Sequence, residues 1–248
     1  LNRCDACGVV FDDRPDVCPH CGGFMTVIPV DAAADTEPAP AAAVRADEIE
    51  DAPDRAVPTP WPAWNEALGG GMVPGSAILF FGEAGGRKTT WAGALATKHA
   101  ARRRGVALFL CAEMPGKMVR DAVKRLTGPD RLYIVGLDRG GASFQVGLAE
   151  IERLRPKVVV YDSIQTFEVA GAMPRTAHAI ATVIGTARAV AATLGHVAIL
   201  ISQVNKGGRP AGPNASIHSC DVIVRLTPEL IDVEKNRFTP ACQVRLED

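Results

Sequence analysis

Residues 77–90 read A-I-L-F-F-G-E-A-G-G-R-K-T-T, and their types and spacing suit the binding of a polyphosphate. Gly82, Gly85 and Gly86 free the backbone around Glu83 and Ala84, so that consecutive N–H groups can face phosphate oxygens. Lys88 adds a point charge, Thr89 offers a hydroxyl to magnesium, and the helix opening through Thr90 adds positive potential at its N-terminus. A nucleoside triphosphate is expected here. One position departs from the pattern G-x-x-x-x-G-K-[ST]: Arg87 stands where the motif has glycine. If that position needs a left-handed backbone, its Cβ adds strain of roughly 1–2 kcal/mol. The guanidinium in turn brings a second cation towards the phosphates. These residues alone leave hydrolysis open, and a glycine turn without a ligand is the competing reading.

Three further side chains fall where a parallel sheet collects its chemistry, at the carboxyl ends of apolar strands. Glu113 follows one such run and can orient or deprotonate an attacking water, the alternative being a solvated loop acid. Asp162 closes the apolar run V-V-V-Y, the place for an acid that holds magnesium. Gln203 follows a third run, near enough in such a sheet to sense a γ-phosphate.

A second chemical centre is expected in the first thirty residues. Cys4, Cys7, Cys18 and Cys21 form C-x2-C-x10-C-x2-C, two knuckles whose thiolates can converge tetrahedrally on zinc. Two disulfides or a redox pair fit less well in a cytoplasmic chain. A segment this short cannot bury a core, so metal ligation would have to hold it folded.

Periodicity supplies the elements that must position these groups. Apolar runs predict strands at 77–81, 106–112, 132–135, 158–161, 197–201, 222–226 and 230–233, and helical patterns predict helices at 89–104, 116–126, 144–154 and 176–194. In the 116–126 helix, Met118, Val119, Ala122, Val123 and Leu126 form the apolar face. Alternation of strand and helix, then two antiparallel strands, describes an α/β fold whose sheet is mostly parallel with an antiparallel edge. Residues 31–60 carry eight acids against Arg45 and Arg55 among Ala and Pro, an extended acidic linker. Three parts are expected: 1–30 a zinc module, 31–60 a linker, and 61–248 the nucleotide-binding domain.

Composition narrows the function class. The 248 residues are 47% apolar with 27 basic against 28 acidic side chains, so no global basic field advertises nucleic acid, and any such contact must be local. The loop around Lys206 and Arg209 is the basic candidate, with a plain surface loop as its alternative. Arg3 and Asp5 occupy the place of a signal peptide's apolar run, and His178 and Arg188 interrupt the longest apolar helix. A cytoplasmic protein without a membrane span is expected, and the opening Leu1 implies a start codon further upstream.

Taken together, the four-cysteine module, L-G-G-G-M-V-P-G-S before the phosphate loop, V-V-V-Y-D-S-I-Q-T-F around Asp162, A-G-P at 211–213 and E-K-N-R-F-T-P at 234–240 resemble the bacterial RadA/Sms family of DNA-recombination ATPases. The resemblance runs in order over nearly the whole chain. It implies a RecA-like P-loop NTPase, a three-layer αβα domain preceded by a zinc ribbon. It also implies a ring, commonly a hexamer, that binds single-stranded or branched DNA and spends ATP on branch migration, alongside a recombinase or replicative helicase. Lys88, Thr89 and Asp162 would then bind nucleotide and magnesium, Glu113 would position water, and Lys206 with Arg209 would face DNA. Lys235 and Arg237 would reach the nucleotide of the adjacent subunit. Three departures stand out: Arg87, Ser202-Gln203 where the family more often has Gly-His, and Met114 where a second Glu is frequent. The protease-like C-terminal domain of the family has no counterpart in this sequence. A non-catalytic nucleotide-binding regulator, recruiting a partner through its zinc module, is the alternative function.

Overall fold

The computed structural model describes residues 56–205 and 207–246, together with the backbone of 2–3 and 10–11. The chain divides into two compact units, Leu1–Pro53 and Asp54–Asp248. In the first, β1 (Asn2–Arg3) pairs antiparallel with β2 (Val10–Phe11). Cys4, Cys7, Cys18 and Cys21 lie outside the described residues, as do Lys206 and nearly all of the 31–60 linker. The linker's last residues are described: Val57 bridges Met72, and Thr59 is buried within the second unit.

The second unit is built on one eight-stranded sheet. In chain order it contains α1 (Pro62–Leu68), β3 (Ala77–Phe81), α2 (Lys88–Arg102), β4 (Ala107–Cys111), α3 (Gly116–Val123), β5 (Leu132–Val135), α4 (Phe144–Leu154), β6 (Val158–Asp162), α5 (Ala177–Leu194), β7 (Val197–Ser202), α6 (Asn214–Ser219), β8 (Val222–Leu226), β9 (Leu230–Asn236) and β10 (Gln243–Arg245). The strand order is β10-β9-β8-β3-β7-β6-β4-β5. From β8 to β5 every neighbouring pair is parallel, while β9 runs antiparallel to both β8 and β10. The mostly parallel sheet with an antiparallel edge follows the expectation from sequence. The strand at 222–226, however, belongs to the parallel part.

Continuous apolar runs form the central strands because both faces are covered. Successive side chains alternate: Ile78 and Phe80 of β3 enter a core with Trp64 of α1, Leu95 of α2 and Val119 of α3, whereas Ala77, Leu79 and Phe81 enter a second core with Phe144 of α4 and Val183 of α5. Three layers result. Helix α5 has a mean hydropathy of 1.3 over 18 residues, so by length and composition it could cross a membrane, despite His178 and Arg188. Here it packs Ile180, Val183, Ile184, Ala187 and Ala191 onto the sheet as one of those layers.

Three short elements escaped the pattern reading. Helix α1 carries Pro62 at its start and ends on Gly69 in the left-handed region, both ordinary helix signals in a segment too brief for periodicity. Helix α6 and strand β10 are shorter still.

Candidate active site

The registers of the parallel strands bring separate sequence positions to one edge. Phe81 pairs with Ser202, Asp162 with Ile201, and Cys111 with Asp162, so the residues just beyond each strand share the same rim. Gly82, Gln203, Ser163 and Glu113 therefore become neighbours. The peptide between Asp162 and Ser163 is cis.

The phosphate loop turns between β3 and α2. Gly82 adopts φ +148° and Gly85 φ +84°, conformations that suit glycine. At Gly82 a Cβ would meet the Leu226 carbonyl oxygen at 2.2 Å, so the neighbouring strand leaves no room for a side chain. Arg87 sits at the N-cap of α2 with φ 57° and ψ 19°, the left-handed region that glycine would occupy without strain. Its side chain is exposed at the cavity wall. Lys88 turns back on the loop, donating from Nζ to the carbonyls of Gly82 (2.8 Å) and Glu83 (2.7 Å). Burial lowers its pKa, opposed by the carboxylates of Asp162 and Glu113.

Thr89 Oγ1 donates to Asp162 Oδ2 at 2.7 Å. Asp162 is 3% exposed, and burial pushes its carboxyl up to about 6. The Thr89 hydrogen bond works against that rise, Glu113 adds to it, and Lys88 pulls it down. A hydroxyl and a carboxylate this close are hard oxygen donors of the kind magnesium takes, and a cation would relieve the cost of burying the charge. Both residues thus fit a magnesium ion.

Glu113 collects the other contacts. Its Oε1 accepts from Ser163 Oγ at 2.5 Å and from Gln203 Nε2 at 2.7 Å. Behind them, Gln165 Nε2 donates to Ser202 Oγ at 2.8 Å. The loop residues Gly82, Ala84, Gly85, Gly86, Arg87, Lys88, Thr89 and Thr90 line one cavity of about 730 Å³ together with Glu113, Asp162 and Gln203. That volume lies within the range of about 300–1,000 Å³ usual for small-molecule sites. Glu83 borders an adjoining hollow beside Leu226.

Other expected residues stand apart. Lys235 donates to the carbonyls of His218 and Cys220, and Arg237 pairs with Asp221 at 3.0 Å. Asn236 pairs with Val222 at the start of β8, whereas the end of β8 borders the phosphate loop. Lys235 and Arg237 therefore lie at the opposite rim of the sheet from the loop of their own chain. Arg209 is exposed in the 205–210 turn, where the Asn205 side chain accepts from the backbone of Gly207 and Arg209.

Sequence reasoning left three cavity residues without a role. Ser163 carried the same signal as Asp162, the end of an apolar strand. Met118 is 57% exposed at the cavity rather than part of the buried helix face, and Arg125 lies beside it. No local signal marked either.

No protein-family model matches the chain. Three relatives, each described as DNA repair protein RadA, are similar to it. The protein of Mycolicibacterium smegmatis is 28% identical over 98% of this chain and 56% of its own length. That of Streptococcus pneumoniae is 27% identical over 71% and 42%, and that of Listeria monocytogenes 26% over 95% and 54%. The chain thus spans about half the length of the curated relatives it matches. Among solved structures, the KaiC-like protein PH0186 of Pyrococcus horikoshii superposes with a TM-score of 0.61 at 18% identity, covering 79% of this chain and 95% of that one. This likeness is one of fold. In sequence the chain is similar to the RadA DNA repair proteins over nearly its whole length, and in fold it is a RecA/KaiC-like P-loop protein.

Proposed function

We propose that the protein is an ATP-hydrolysing, DNA-binding motor of recombination and repair in the cytoplasm. The observation that carries this reading is the convergence of Lys88, Thr89, Asp162 and Glu113 on one cavity, each with the partner its role requires. The RadA relatives support the DNA repair context.

In this reading the loop amides and Lys88 take the β- and γ-phosphates, so Nζ exchanges the Gly82 and Glu83 carbonyls for phosphate oxygens. A magnesium ion at Thr89 and Asp162 would supply charge neutralisation between those phosphates. Glu113, held by Ser163 and Gln203, orients the attacking water and accepts its proton. Lys235 and Arg237, remote from their own loop, act on the nucleotide of a neighbouring copy in a homo-hexameric ring. The turn carrying Lys206 and Arg209 contacts single-stranded or branched DNA during branch migration. Cys4, Cys7, Cys18 and Cys21 hold zinc in a module that meets a recombinase or replicative helicase.

A second reading, a nucleotide-binding regulator without turnover, draws on the left-handed Arg87 in the loop. Phosphate release with and without single-stranded DNA separates the two. The motor predicts DNA-stimulated turnover in the parent that disappears in Lys88→Ala and Glu113→Gln. Nucleotide binding without turnover in both the parent and Arg87→Gly would overturn the motor and leave the regulator.

A further inference from the structure

The cavity at the phosphate loop has two chemically different ends. One is formed by loop backbone, Lys88, Thr89 and Asp162; the other by Met114, Met118, Ala122 and Arg125. Packing between helices explains why α3 supplies that second wall. Val119 and Val123 point into the core, and a Cβ on Gly93 of α2 would come within 2.2 Å of a Val123 methyl. Glycine lets α3 press against the helix that begins at the phosphate loop. Met118 and Ala122, each one residue before an inward valine and four apart from one another, share the adjoining stripe. Arg125 follows on the same side and, among the described residues, has no ion-pair partner.

An exposed methionine at the mouth of a polar cavity calls for a ligand that is anionic at one end and flat and weakly polar at the other. Phosphate alone leaves the thioether wall without a partner. We propose that Met118, Ala122 and Arg125 form a nucleobase subsite: the ring lies on the thioether and methyl, and the Arg125 guanidinium packs against its π face. This rests on the reading of Lys88 and its loop as the phosphate site. An apolar ledge of this kind discriminates by ring area rather than by hydrogen-bond pattern. It therefore favours purine over pyrimidine nucleotides and separates ATP from GTP only weakly.

Titration calorimetry with ATP, GTP, UTP and inorganic tripolyphosphate tests this on the parent, Met118→Ser, Arg125→Ala and Lys88→Ala, in the presence of magnesium. Met118 and Arg125 are exposed, so the variants should fold, which a thermal melt checks. Met118→Ser and Arg125→Ala should each weaken ATP and GTP by roughly 5- to 30-fold and leave tripolyphosphate unchanged. Unchanged ATP affinity in both variants overturns the subsite. Equal losses for ATP and tripolyphosphate in Arg125→Ala overturn it as well, since Arg125 would then be a phosphate contact. UTP binding as tightly as ATP to the parent removes the purine preference and with it the stacking geometry. If the parent binds neither ATP nor tripolyphosphate, the underlying phosphate site is what fails, and Lys88→Ala will match the parent.

Discussion

Gln203 donates a 2.7 Å hydrogen bond to Glu113 across the end of β6, although 90 residues separate the two in sequence. Ser163, from the intervening strand end, donates to the same carboxylate oxygen. Three adjacent strands thus converge on one atom. Replacing Glu113 by Gln should reduce steady-state ATP turnover by about 10²–10⁴-fold, the usual contribution of a positioned base, while ATP binding persists. Gln203→Ala should lower turnover less, because Ser163 still holds the carboxylate. Phosphate-release and binding measurements on the same preparations check both.

Asp162 links the site to pH-dependent stability. Its folded carboxyl holds a proton to about 6, against an ordinary value of 3.8, because burial disfavours the charge. Folding therefore takes up a proton between those values. The contribution of this group to stability is greatest below about pH 4, falls as pH rises to about 6, and is fully lost above that. Two units correspond to roughly 3 kcal/mol in order of magnitude. Without ligand, Asp162→Asn should melt higher than the parent at pH 7.5 and show a flatter stability profile between pH 4 and 6. It should also lose the extra thermal protection that magnesium gives to the nucleotide-bound parent.

Two left-handed positions in the loop should respond in opposite directions. At Gly82 the Leu226 carbonyl blocks any side chain, so Gly82→Ala should destabilise by more than the roughly 1–2 kcal/mol of backbone strain alone. Arg87 already bears a Cβ in that region, so Arg87→Gly releases strain and offsets the added freedom of the unfolded chain. Denaturant melts should place Arg87→Gly between the parent and about 1 kcal/mol more stable. An ordinary replacement by glycine destabilises.

The position of Arg237 predicts complementation between copies. Its exposed ion pair with Asp221 is worth at most about 1 kcal/mol, so Arg237→Ala should fold and bind ATP. Each single variant, Arg237→Ala and Lys88→Ala, should be inactive alone. A mixture should regain part of the parent's turnover, because some interfaces then unite an intact loop with an intact Arg237. No recovery, in mixtures shown to exchange subunits, would remove the inter-subunit role.

The amino-terminal cysteines lie outside the described residues, and their test is chemical. Zinc content near one ion per chain, lost in Cys4→Ser and Cys18→Ser, is the expected outcome of elemental analysis. ATP binding should persist after chelation, since Lys88 and its loop belong to a separate compact unit.

Much of this protein was legible along the chain. Glycine spacing marks the phosphate loop because backbone freedom is a property of single residues. Apolar runs mark β3, β4, β6 and β7 because strands covered on both faces need apolar side chains at every position. Glu113, Asp162 and Gln203 were readable as candidates for a related reason, since each directly follows such a run. Tertiary structure alone decided which of them meet. The order β7-β6-β4, a choice among strands far apart in sequence, brings Gln203 and Ser163 to one oxygen of Glu113. It also carries Lys235 and Arg237 to the far rim and turns Met118 out of the helix core into the cavity. Local propensity sees only a dozen neighbouring residues, whereas contacts of this kind depend on how the two faces of the sheet are packed.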